Sequence, residues 1–135
     1  MPFQVLIVDD ETGLSQVLAL RFRAAGFSTS TADSGLAGLA EARRSCPDAI
    51  VLDVRMPDLD GFEVYARLRQ DPELAGIPVV FLSANVQDSA RHAALASGAF
   101  AYLTKPYDSQ EVIATVRDAI MRQPRARSAS HATGR

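Results

Sequence analysis

Cysteine is nearly absent from this chain of 135 residues: Cys46 stands alone. That excludes an internal disulfide and fits a reducing, cytoplasmic compartment. Near a helix end, Cys46 reads as a small apolar filler. No apolar run approaches the roughly 20 residues needed to span a bilayer, so no membrane role is expected. The N-terminus has no basic segment followed by a small-residue cleavage site, and no signal peptide is expected. Internal repeats and low-complexity segments are missing too.

Lysine is as scarce as cysteine. Lys105 is the only one, beside thirteen arginines. A wide planar guanidinium substitutes poorly for a compact ammonium in a small anion pocket, so the exception at a strand end is informative. No glycine-rich loop follows the first apolar run, which argues against a dinucleotide-binding fold.

What is present is an ordinary globular composition, 47% hydrophobic and 22% charged, at a length suited to one core. The net charge of −2 is uneven: residues 122–135 hold Arg122, Arg125, Arg127 and Arg135 and no acid. Taking those four from fourteen basic residues leaves ten against sixteen acids, a balance of −6. An acidic body argues against direct nucleic-acid binding. The chain therefore divides into a domain over 1–121 and a basic tail over 122–135, read as a disordered end or a linker.

Apolar runs and helical patterns alternate along 1–121. Strands are expected at 3–8, 27–32, 49–53, 78–82 and 99–103. Between and after them come helices bearing Leu14, Val17, Leu18 and Phe22; Leu36, Leu39 and Ala40; Phe62, Tyr65 and Leu68; an alanine-rich stretch at 86–96; and Val112, Ile113, Val116 and Ile120. Gly26 suits the end of the first helix, Asp33 or Ser34 the start of the second, and Asp108 with Glu111 a capping box for the last. Strict alternation with short connections predicts a parallel sheet covered on both faces. Gly61 and Gly98 read as backbone turn devices, and His92 as a solvated residue on its helix.

The strands stop at chemistry. The first ends at Asp9-Asp10, the third at Asp53, the fourth at Ser83 and the fifth at Lys105. Carboxyl ends of parallel strands share one edge, where open α/β sheets place ligand sites. Adjacent aspartates repel unless offset, and Mg²⁺ is the natural solution because it takes oxygen ligands from one or two carboxylates and keeps several waters. Asp10 is expected to ligate directly and Asp9 largely through water. Asp53, thrust from a buried strand, can act as a nucleophile toward phosphorus. Lys105 and Ser83 can then stabilise phosphoryl oxygens. Singly, each residue also reads as a loop acid, a turn hydroxyl or a surface amine; the ordered set carries the argument. For Lys105–Pro106 the trans isomer has the higher base rate. Tyr102 is either a half-buried strand aromatic or a ring that swings inward.

The stretches Val5–Glu11, Val51–Gly61, Phe81–Ala84 and Gly98–Pro106 together resemble the receiver domains of bacterial two-component response regulators, over about residues 3–121. The resemblance implies a flavodoxin-like three-layer α/β/α fold, with five strands in order 2-1-3-4-5 and five helices. It implies that Asp53 accepts a phosphoryl group from a sensor histidine kinase or phosphotransfer protein. Mg²⁺ would be held by Asp9, Asp10, Asp53 and the backbone carbonyl of Arg55. Lys105 would pair with the phosphoryl group, while Ser83 and Tyr102 act as the switch. A downstream protein would read the surface of the fourth helix, fifth strand and fifth helix, and a homodimer could form on activation. Arg55 and Asn85 would tune phosphoryl lifetime. No free substrate is turned over, so the chain is expected not to be an enzyme beyond its own phosphorylation and dephosphorylation.

The alternative is a receiver fold used for docking without phosphorylation. An aspartate-nucleophile phosphatase fits less well, because Asp9-Asp10-Glu11 lacks the Asp-x-Asp pattern and no cap insertion is present.

Overall fold

In a computed structural model the chain is described over residues 2–122. Five strands and five helices alternate: β1 (Gln4–Val8), α1 (Thr12–Ala24), β2 (Ser28–Ala32), α2 (Gly35–Ser45), β3 (Ala49–Asp53), α3 (Gly61–Gln70), β4 (Val79–Ser83), α4 (Asp88–Ala96), β5 (Ala101–Thr104) and α5 (Ser109–Arg122). The strands form one parallel sheet in the order β2-β1-β3-β4-β5.

Hydrophobicity sets that order. β3 and β4 are buried along their whole length and β1 from Val5 onward, so they take the centre, where both faces are covered. The Ser- and Thr-rich β2 tolerates water and takes an edge. Strand alternation splits the core in two. Leu6, Val8, Ile50, Leu52, Val79 and Phe81 face α2, α3 and α4. Val5, Ile7, Val51, Val80 and Leu82 face α1 and α5. Each such aliphatic or aromatic side chain contributes about 1.5–3 kcal/mol on full burial.

Helix ends follow local chemistry. Ser34 caps α2, accepting from the Ala37 amide at 3.1 Å, which settles the choice between Asp33 and Ser34. Cys46 ends α2 at φ 46°, in the left-handed region, packed partly against the core. A reciprocal capping box joins Asp60 and Glu63 at the start of α3. The one expected at α5 is not the bond seen there: Asp108 Oδ1 accepts from the Gln110 amide at 2.9 Å. A donor one residue closer captures the carboxylate first. Gly26 and Gly98 have φ of 98° and 112°, as turn positions require. α5 includes Arg122, whose Nε donates to Asp118 Oδ1 at 2.6 Å. The remaining tail, 123–135, lies outside the described residues.

Between α3 and β4, Leu74 and Ile77 are 2% and 4% exposed. This segment closes the bottom of the core with no strand or long helix. α4 is the least anchored helix, with Ala94 its one buried residue.

Candidate functional site: an acid pocket at the sheet edge

Register brings the strand ends together. Val8 pairs with Leu52, so Asp9 follows at the level of Asp53. Asp53 pairs with Leu82, Ser83 with Thr104, and Lys105 donates its amide to the Ser83 carbonyl at 2.8 Å. Residues up to 96 positions apart thus meet at one edge.

Asp9, Asp10 and Asp53 each present a carboxylate oxygen, and these oxygens lie within 4.8 Å of one another. No other group of this kind occurs among the described residues. Asp9 and Asp53 are buried, at 2% and 4% exposure, while Asp10 faces solvent. Asp9 spends both oxygens on the protein: Oδ1 accepts from the Glu11 amide at 2.9 Å, and Oδ2 from Lys105 Nζ at 3.5 Å. The donor set, three hard oxygens on a mixed buried and open site, suits a cation that keeps part of its water, such as Mg²⁺.

Lys105 Nζ lies 3.3 Å from Asp53 Oδ1 and 3.1 Å from Glu11 Oε1. The single lysine therefore sits among three carboxylates, of which Asp9 and Asp53 are expected from the sequence. Glu11 is a partner that sequence reasoning misses; its place directly after the aspartate pair is the available signal. Burial alone would disfavour the ammonium. The hydrogen bond to Glu11 and the charges of Asp53 and Asp9 outweigh it and hold the Lys105 pKa above the ordinary lysine value. Asp53 is shifted by the same crowding. Burial, then the Asp9 charge, pushes its pKa up to about 6, despite Lys105. Without a metal, then, the Asp53 carboxylate is poorly solvated and crowded by like charge. Tyr107 beside the pocket has its pKa raised by burial and by Asp9.

Ser83 is 3% exposed, and its Oγ accepts from the Asn85 amide at 3.0 Å. The Tyr102 ring is not half-buried: it is 2% exposed, with its hydroxyl donating to the Asn85 carbonyl at 2.7 Å. The Arg91 guanidinium lies over it, 5.7 Å from the ring centre. The small residues of α4 leave room for the ring inside, which periodicity could not reveal. The Lys105–Pro106 bond is cis, against the base rate. Arg55 is exposed beside a cavity of about 500 Å³ lined by Asp10, Val54, Met56, Pro57 and Asp60.

The sequence profile for the response regulator receiver domain matches residues 5–117. Among curated proteins, the chain is 39% identical over 122 residues to the DNA-binding dual master transcriptional regulator RpaA of Synechocystis, covering 90% of this chain and 51% of that protein. It is 41% identical over 117 residues to the response regulator PleD of Caulobacter vibrioides, covering 87% of this chain and 26% of PleD. The chain thus spans about half of one relative and a quarter of the other. Among solved structures, the receiver domain of Francisella response regulator 1452 superposes with a TM-score of 0.83 at 32% identity, over 89% of this chain and 98% of that one. Chemotaxis protein CheY4 of Vibrio cholerae gives 0.82 at 28%, over 88% and 99%. With profile, relatives and topology in agreement, the chain belongs to the response regulator receiver domain family.

Proposed function

We propose that this domain is a phospho-accepting switch in two-component signalling, with Asp53 as acceptor. The observation that carries the reading is the meeting of Asp9, Asp10 and Asp53 oxygens within 4.8 Å, with Lys105 Nζ 3.3 Å from Asp53 Oδ1. The donor is a phosphohistidine on a sensor kinase or phosphotransfer protein. An Asp53 oxygen forms the new O–P bond as the P–N bond breaks, and its electron pair returns to the imidazole. Asp9, Asp10, Asp53 and the Arg55 carbonyl would hold Mg²⁺, which supplies charge neutralisation at the phosphoryl oxygens. The exposed carboxylate of Asp10 favours direct ligation there, and the fully engaged Asp9 favours a role through water. Lys105 stays charged at every working pH and pairs with a second oxygen.

Ser83 would leave the Asn85 amide to hydrogen-bond the phosphoryl group. That pulls on the β4–α4 connection and on Tyr102, which already bonds Asn85. Because α4 is held by little buried surface, this shift costs little, and the face formed by α4, β5 and α5 changes its affinity for a downstream protein or for a second copy of the chain. The acidic domain itself is not proposed to touch nucleic acid, although RpaA, matched over half its length, is named as DNA-binding. Among the described residues no helix is long and apolar enough to cross a membrane; a cytoplasmic location is part of this proposal. Arg55 and Asn85, beside the acceptor, are proposed to set phosphoryl lifetime.

Intact mass after treatment with a small acyl phosphate tests the reading. One labile phosphoryl adduct is expected with Mg²⁺, little without it, and none in Asp53→Asn. An adduct that survives in Asp53→Asn would refute the assignment. The inward Tyr102 favours a second reading, docking without phosphorylation. Partner binding that is the same for wild type and Asp53→Asn, with and without phosphodonor, would select it.

A further inference from the structure

The loop from Val54 to Asp60 joins the acceptor strand to α3 and carries Arg55. Its base is closed by the Gly61 amide, which donates to the Val54 carbonyl at 2.7 Å. Midway, Asp58 reaches across to another helix. Its Oδ1 accepts from the Gly35 amide at 2.9 Å and its Oδ2 from the Leu36 amide at 2.9 Å. These are donors of the first turn of α2 that have no partner within the helix, and the helix dipole also favours an anion there. Ser34 satisfies the Ala37 amide of the same turn, so a residue more than twenty positions away completes the cap. Packing reinforces the contact: a Cβ at Gly35 would stand 2.8 Å from both the Cβ and the carbonyl oxygen of Leu59. The backbone amides of Leu36, Gly35 and Leu59 hold the Asp58 pKa down to about 2, so the clamp is charged at any physiological pH.

We infer that Asp58 is a positioning residue: by clamping the loop to the start of α2 it holds in place the stretch that carries the Arg55 carbonyl, the proposed metal ligand. This rests on the phospho-acceptor reading above. It goes beyond that reading because it makes α2, which contributes no side chain to the pocket, part of the pocket's geometry.

The test compares Asp58→Ala, Asp58→Asn and Ala42→Gly with wild type, by calorimetric Mg²⁺ titration, acyl-phosphate labelling and thermal melting. Ala42 is fully buried in α2, far from the loop in sequence, and serves as a destabilising control on the same helix. Asp58→Ala is expected to weaken Mg²⁺ binding about tenfold, in the range seen when supports of a metal site are removed, and to slow labelling. Asp58→Asn keeps one acceptor oxygen and should fall between. Ala42→Gly should lower the melting temperature while keeping wild-type Mg²⁺ affinity. Wild-type affinity in Asp58→Ala overturns the inference. So does an Ala42→Gly protein that loses affinity in step with its stability, since Asp58 would then act only through folding. A wild-type protein that neither binds Mg²⁺ nor takes a phosphoryl group overturns the parent reading instead.

Discussion

Asp53→Asn is expected to raise the stability of the metal-free protein at pH 7.5 while abolishing its phosphorylation. The two effects share a cause. Burial and the neighbouring Asp9 lift the Asp53 pKa from 3.8 to about 6. Between those values the folded protein holds a proton that the unfolded chain has released, so stability falls as pH rises through that window and stays down above it. A shift of roughly two units is an upper bound of about 3 kcal/mol. The pocket is open to solvent on the Asp10 side, and asparagine forfeits the ion pair with Lys105, so about 1–2 kcal/mol is expected to remain. That corresponds to several degrees in melting temperature for a domain of this size. Denaturation in the presence of a chelator at pH 7.5 and pH 5 measures it. The advantage of Asp53→Asn should shrink at the lower pH, where wild-type Asp53 is protonated. An advantage independent of pH, or a variant less stable than wild type at pH 7.5, would contradict the electrostatic account. Saturating Mg²⁺ should narrow the gap, because a ligand that binds only the folded state stabilises it by mass action.

Gly61→Ala should cost about 2–4 kcal/mol of stability, the range for overpacking against unyielding neighbours. A Cβ there would stand 2.5 Å from the Asp53 carbonyl oxygen and 2.9 Å from Val54 Cα. Both are backbone atoms, and no rotamer change relieves the clash. The start of α3 must retreat from β3, breaking the 2.7 Å bond from the Gly61 amide to Val54 and displacing the end of β3 that carries Asp53. Acyl-phosphate labelling should therefore fall further than stability alone explains. Gly13→Ala is the control. Gly13 lies in α1, and a Cβ added there would meet nothing within 4 Å, so alanine should be neutral or stabilising by up to about 1 kcal/mol. Urea denaturation curves for the two variants decide. A Gly61→Ala protein as stable as wild type would mean that the α3 junction has slack that its geometry denies.

The strands and the chemistry at their ends are legible in the sequence because both are local. A run such as Val5–Val8 announces a buried parallel strand, and the aspartates after it stand out against it. Parallel topology then does the rest, since it places all carboxyl ends on one edge. What stays hidden depends on contacts across the chain. Glu11 joins the Lys105 cluster only because Asp9 turns the backbone with its own carboxylate. The inward position of Tyr102 depends on the Asn85 carbonyl, seventeen residues away. The Asp58 clamp depends on how closely Gly35 lets α2 approach Leu59. Leu74 and Ile77 are unreadable as core because they lie in a segment without periodicity. The capping box is expected at α5 and forms at α3: Asp60-Glu63 and Asp108-Glu111 have the same spacing, and only folded geometry distinguishes them.

The solitary lysine has a consequence at the bench. Its side chain is only 16% exposed, ringed by acids and held protonated, whereas acylating dyes and bifunctional linkers attack the free base. Amine conjugation should therefore modify whatever α-amino group a preparation carries and leave the sheet-edge pocket intact. The same chemistry becomes a probe of pocket opening. Any condition that makes Lys105 acylate quickly has pulled it away from its carboxylates.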